Sequence, residues 1–349
     1  MRAANKAARQ ADVDERGRRA DAALRARRLA ASKADSMPVV EAVDGPREER
    51  FVDKPLVSPA PRGGIIEVLQ QPYLLRLIVS RQLASQYAAS ILGLLWSYIQ
   101  PALRFGVYYV ALGVVIGLHS SVPSYAIHLF CGIVFIHYFS ETWSGATRSI
   151  WQNRALVMKM RMPRETFPVA AMVVAAYHTF PQVLLLVLIC VLTGWHLSIV
   201  GIAAGILGVA ILVLFSMALA LFFSALNVFY RDFQNIVGTV MQFMHFLVPM
   251  MYTYSRIAQV QGSHPWVYQA YMANPVAEAV LLLQRCFWWD VVPSSQRHGS
   301  FLVSGGQHLR EFPADLWLRG IIMLAISGWL LYLAQRFFSR AESSFPERM

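Results

Sequence analysis

The stretch NRALVMKMRMPRE, residues 153–165, lies between two long apolar runs, 125–147 and 168–192. Each run is long enough to cross a hydrocarbon core, which takes roughly 20 apolar residues of helix. The segment that joins them therefore sits at a membrane face. Arg154, Lys159, Arg161 and Arg164, with Arg148 just before them, identify that face as cytoplasmic, because short loops rich in Lys and Arg stay inside. On a helix Leu156 and Met160 fall on one side, four residues apart. A basic segment with an apolar side suits docking to a cytoplasmic partner that pushes on the membrane part.

Working outward, the same length criterion picks 93–118, 199–226, 233–253 and 317–338 as further spans. The turns at 119–124 and 193–198 carry no Lys or Arg and are assigned outside, whereas Tyr230-Arg231-Asp232 falls inside. Both termini are then cytoplasmic, in agreement with the basic end Arg336, Arg340 and Arg348. Composition points the same way. The 349 residues are 56% hydrophobic and 15% charged, against about a quarter charged in an ordinary soluble domain. The expected fold is an all-α polytopic membrane protein of six transmembrane helices, multi-pass in the inner or plasma membrane.

Three segments do not read as spans. Residues 1–64 combine an Ala/Arg-rich charged tail with a Pro- and Gly-bearing linker and read as disordered; no apolar signal segment is seen there. In residues 65–90 Ile66, Leu69, Tyr73 and Leu77 recur at helical spacing, which suits an amphipathic helix lying in the cytoplasmic interface. The remainder, 91–349, is the membrane domain, with a coupling helix at 148–166. Within it 254–316 should lie outside. Its apolar stretch 271–289, broken at Asn274-Pro275, is read as a re-entrant or interfacial helical hairpin before the last span, with Trp288 and Trp289 at headgroup level.

Several chemistries are disfavoured. Cys131, Cys190 and Cys286 are far apart and read as apolar packing residues. No histidine pattern suggests a metal, and none is expected. The basic residues of the tail are diluted by acids, so nucleic-acid binding is not expected. Two charges fall inside the spans, Arg104 and Glu141. Each costs about 3 kcal/mol unpaired, and their depths match when counted at about 1.5 Å per residue. A structural ion pair between them is the simplest expectation.

Four places resemble one family, the permease subunits of type-2 ABC exporters for cell-surface polysaccharides such as O-antigen, teichoic acid and galactan. Ser90-Ile91-Leu92-Gly93-Leu94-Leu95-Trp96 with Gln100-Pro101 is similar to the family's opening of the first span. Asn153 to Glu165 resembles its coupling segment, Asn227 to Asp232 its cytoplasmic Y-R-D turn, and Asn274-Pro275 with Arg285 its external element. The interfacial stretch Arg81 to Ser90 departs from the family, being less densely basic.

The resemblance implies a transport subunit rather than an enzyme. It would move a lipid-linked polysaccharide from the cytoplasmic to the outer face, as a dimer of this chain with two copies of a cytoplasmic ABC ATPase. The sequence holds no G-x-x-x-x-G-K-[ST] phosphate loop, so ATP and Mg would bind the partner and no cofactor this chain. ATPase coupling falls to Arg154, Leu156, Lys159, Met160, Arg161, Arg164 and Glu165. Entry of a lipid pyrophosphate falls to Arg76, Arg81 and Arg104. A sugar channel wants aromatic faces for stacking, which Tyr98, Phe105, Tyr109, Phe243, Phe246 and Tyr252 offer, with Gln242 as a polar contact. Alternatives are a type-2 exporter of drugs or small lipids and a polyprenyl-phosphate-dependent glycosyltransferase. The latter needs clustered carboxylates, which the spans lack.

Overall fold

The computed structural model describes residues 64–87, 93–160, 162–298, 301–304 and 307–348. Residues 1–63 of the expected tail, Ser90 to Leu92 and Arg161 lie outside the described residues. The described chain is almost entirely helical. Its helices are α1 (Gly64–Gln70), α2 (Pro72–Tyr87), α3 (Trp96–Tyr108), α4 (Tyr125–Gln152), α5 (Arg154–Lys159), α6 (Thr166–Leu192) and α7 (Ile199–Phe229). There follow α8 (Phe233–Met244), α9 (Tyr254–Ser263), α10 (Pro265–Met272), α11 (Pro275–Phe287) and α12 (Leu316–Ala341). Among the described residues α6, α7 and α12 are long and apolar enough to cross a membrane by length and composition.

Helix α7 is the hub, packed against α12, α11 and α4, and α4 pairs in turn with α6. Small residues permit this. A Cβ on Gly208 of α7 would stand 2.9 Å from the Ala279 carbonyl oxygen of α11, so only glycine lets the two backbones meet there. Helix starts follow local rules. Ser198 accepts a hydrogen bond from the Gly201 amide at the head of α7, and Asn274 accepts from the Val276 amide at α11, with Pro275 at its first position.

The first expected span, 93–118, is not one α-helix. A 3₁₀ turn, Gly93–Leu95, leads into α3, which gives way to a π-helical stretch over Tyr109–Val115. There the Ile116 amide reaches back five residues to the Ala111 carbonyl. The fifth, 233–253, is helical only to Met244; Pro249 has no amide to continue it. Non-helical backbone leaves carbonyls that other protein donors must satisfy. Here Gln284 donates to the Pro249 carbonyl at 2.6 Å and the Tyr125 hydroxyl to that of Met251 at 2.9 Å.

The expected interfacial helix is two helices meeting at Gln71, with Pro72 starting the second. Ile66, Leu69, Tyr73 and Leu77 are exposed, while Val68 and Ile78 are buried on the protein. The expected coupling helix over 148–166 is also divided. Helix α4 runs on to Gln152, Asn153 breaks it while its side chain donates to the Ser149 carbonyl, and α5 is a short helix ending before Pro163.

The region 254–316 holds α9, α10, α11 and a feature not expected from sequence. This is a three-stranded antiparallel ribbon of β1 (Arg297–His298), β2 (Phe301–Ser304) and β3 (Gln307–Arg310), in the order β1-β2-β3. Trp288 and Trp289 do not lie on the surface of the chain. Both are 1% exposed and packed edge-on with Phe312 or with each other, and the Trp288 indole donates to the Pro123 carbonyl at 2.8 Å. Large rings with one donor bury well where a carbonyl meets that donor.

Candidate functional site

The coupling segment is built from its own apolar residues inward. Val157 is buried and Leu156 packs half-buried against the core formed with α4, α6 and α7, while Met158 and Met160 are exposed. Arg154 lies over the Trp151 ring at 5.0 Å, and Arg231 of the Tyr230-Arg231-Asp232 turn covers the same ring at 3.7 Å. Two sequence motifs far apart in the chain thus meet on one indole. Lys159 is exposed at the end of α5.

Arg164 and Glu165 do not face outward as docking residues. Arg164 donates to the Glu342 carbonyl, sits 3.8 Å from the Glu342 carboxylate and covers the Phe345 ring at 5.6 Å. Glu165 is 1% exposed and accepts a hydrogen bond from Gln335 at 2.9 Å. Burial pushes its carboxyl above the usual carboxylate range. The physical reason is the break before Pro163, which turns the next residues toward the end of α12. Of the expected coupling residues, Arg154, Lys159 and Met160 remain accessible.

Beside this segment, α2 and the end of α4 enclose a polar cavity of about 500 Å³. Arg81, Gln82, Ser85 and Gln86 line one wall and Arg148, Gln152 and Asn153 the other, with Gly145 and Ile78 completing it. The lining carries two guanidiniums and no carboxylate. Such a cavity suits a phosphate or pyrophosphate, whose oxygens accept from guanidinium and amide donors together. Arg76, on another side of α2, is exposed and outside this lining. Sequence reasoning missed Arg148 as a site residue. Its position four residues before Gln152, on the face turned to α2, was the available signal.

Deeper in the helices lies a second polar group. Glu141 does not pair with Arg104; among the described residues the two form no ion pair. The Glu141 carboxylate instead meets His178 Nδ1 of α6, and His137, one turn earlier on α4, stands 4.0 Å away. His178 Nε2 bonds the Tyr87 hydroxyl at 2.8 Å, and that hydroxyl bonds Ser97 at 3.0 Å. The end of α2 is thereby tied to α3, α4 and α6. Arg104 acts electrostatically on His137 and His245, at the edge of the same group. Matching depth does not make partners, because side chains must also share an azimuth: His178 faces Glu141 across α4 and α6, the more extensively packed pair.

The expected channel aromatics separate into two sets. Phe105 and Tyr109 stack on each other at 5.7 Å and pack against Phe130 and Tyr125 of α4. Tyr252 donates to the Phe246 carbonyl and contacts Tyr271. Tyr98, Gln242, Phe243 and Phe246 are exposed on the surface of the single chain.

Most of these elements lie within the stretch that a known family shares with this chain. A family model described as ABC-2 type transporter matches residues 73–286. The O-antigen export system permease protein RfbA of Myxococcus xanthus is 28% identical over 234 residues, 66% of this chain and 86% of that protein. A Klebsiella pneumoniae protein of the same name is 26% identical over 259 residues, 72% and 88% of the two chains. A second from that organism is 23% identical over 214 residues, 61% and 80%. The family match runs from α2 through most of α11, more than half of the chain, and the protein belongs to the ABC-2 type transporter family of membrane permeases.

Proposed function

We propose that the chain is the membrane subunit of an ATP-driven exporter that carries a lipid-linked polysaccharide from the cytoplasmic to the outer face of the inner or plasma membrane. Family membership and relatives named as O-antigen export permeases support the transport class. The observation that carries the substrate reading is the cavity lined by Arg81 and Arg148. It stands next to the coupling segment, where a lipid-borne phosphate arriving in the cytoplasmic leaflet would first meet protein.

In this reading six crossings leave both termini cytoplasmic. Helices α10 and α11 dip as a re-entrant hairpin, α11 at about 20 Å being too short to span. Two copies of the chain work with two copies of an ABC ATPase that docks on Arg154, Lys159 and Met160. Closure of the ATPase pair rocks the helices. The phosphate passes from Arg81 and Arg148 toward Arg104, and the exposed Tyr98, Gln242, Phe243 and Phe246 line the sugar path between the two copies. Aromatic faces hold sugar rings without fixing a single register.

The test is reconstitution of the chain with its ATPase in inverted vesicles, offered a polyprenyl-diphosphate-linked glycan. ATP-dependent protection of that glycan inside the vesicles is expected. Export of lipophilic drugs with no effect of the glycan lipid would overturn the substrate reading.

A further inference from the structure

After α12 the chain does not leave the molecule. Glu342–Ser344 form a 3₁₀ turn and Phe345–Arg348 a last helical turn that folds back under the coupling segment. Phe345 is fully buried, 5.6 Å from the Phe338 ring of α12 and 6.0 Å from the Phe229 ring of α7. The guanidinium of Arg164 lies over its other side. A short turn whose aromatic ring is fully buried is anchored by that ring.

The charges around this anchor do not balance. Glu342 and Glu165 are both buried, and Glu67 of α1 acts on each of them electrostatically. Against the Glu165 and Glu342 carboxylates stands, among the described residues, one guanidinium, Arg164, with Gln335 supplying a neutral donor to Glu165. Glu165 Oε2 and Glu342 Oε1 find no hydrogen-bond donor among the described residues. Buried carboxylate oxygens without donors are costly, and a proton on one of them supplies the missing donor.

We propose that the C-terminal turn is a proton-sensitive clamp that positions the ATPase-coupling segment, with Glu342 and Phe345 as its positioning residues. Phe345 supplies the apolar anchor, Arg164 joins the turn to the coupling segment, and a proton in the Glu165–Glu342 pair removes the excess negative charge. Glu342 lies beyond Arg340, on the cytoplasmic side of the apolar part of α12, and burial with Glu165 beside it pushes its carboxyl up to about 7. The sign follows. A carboxyl protonated more readily in the closed clamp than in water favours closure at low pH. That advantage is lost as pH rises from the ordinary carboxylate range through about 7. The role in coupling rests on the proposed ATPase partnership; the clamp itself does not.

Hydrogen exchange of peptides covering 153–166 and 338–348, corrected for intrinsic rates, reads the clamp in the full chain purified with its ATPase. Protection is expected to be on the order of tenfold greater at pH 6 than at pH 7.5. Glu342→Gln should be protected about equally at both, because the amide is neutral throughout. Exchange independent of pH in the natural chain, or an unaltered pH dependence in Glu342→Gln, would overturn the clamp. Phe345→Ala should speed exchange at 153–166 and weaken ATPase association several-fold; faster exchange with unchanged association would separate the clamp from coupling and refute that role. An ATPase that fails to bind the natural chain at any pH would sink the proposed partnership while leaving the exchange result to judge the clamp.

Discussion

Replacing Glu141 by Leu tests the Glu141–His178 network most directly. In the structure the Glu141 carboxylate meets His178 Nδ1, taken as the N–H, and His178 Nε2 bonds the Tyr87 hydroxyl, which bonds Ser97 in turn. This tautomer is assigned from the network. Removing the carboxylate strands one donor on His178, a ring only 8% exposed, at a cost of about 1–3 kcal/mol. Glu141 itself is 26% exposed, so the lower end of that range is expected. The double-mutant cycle with His178→Leu isolates the pair. Interhelical hydrogen bonds in membranes average about 0.6 kcal/mol and reach about 1.7, which bounds the coupling expected for this pair. Thermal unfolding of the detergent-purified chain should show each single variant lowered by a few degrees, at about 2–4 °C per kcal/mol. The double variant should be more stable than the sum of the two losses. Glu141→Gln, which keeps an acceptor, should lose less. Arg104→Leu combined with Glu141→Leu should be additive within about 0.5 kcal/mol. A larger coupling of Glu141 to Arg104 than to His178 would refute the assignment.

Four further outcomes are expected. Asp290 is 2% exposed and accepts from the Ser198 amide at 3.1 Å, the Ser198 hydroxyl at 2.7 Å and Arg285 at 3.3 Å. Asp290→Ala should therefore cost about 3–5 kcal/mol, and a melting point like the natural chain's would contradict that. A Cβ on Gly132 would stand 2.2 Å from the Met250 Cβ and 3.0 Å from its Cα. Gly132→Ala should cost about 1–3 kcal/mol by overpacking, visible as reduced yield of monodisperse protein. Arg154→Glu with Lys159→Glu should abolish ATPase co-purification and leave the melting point within about 2 °C, since both side chains project from a surface turn. Arg164→Glu should lower the melting point instead, because it opposes Glu342; equal behaviour of the two variants would refute the division of the segment.

By itself the sequence determined the class of molecule, and its loop charges carried an expectation of inside and outside. Hydrocarbon solvates only apolar side chains, so length and apolarity mark α6, α7 and α12. Lysine and arginine favour water and anionic headgroups, which is why those around residues 148–164 carry the expectation of a cytoplasmic loop. It also carried the family motifs, each local in the chain. What it did not determine were the relations between elements. The ending of α8 at Met244 depends on Gln284 and Tyr125 being in place to satisfy the freed carbonyls. Trp288 and Trp289 read as interface anchors because tryptophan prefers that depth, yet a carbonyl at Pro123 and the ring of Phe312 bury them. Arg164 read as one more cytoplasmic cation until the chain end came back to meet it. Glu141 had a suitable partner by depth in Arg104 and another by azimuth in His178, and azimuth decided. Hydropathy and charge report which solvent a residue meets. Which side chain it meets is set by helix rotation and close approach, and these exist only once α4, α6, α7 and α11 have packed.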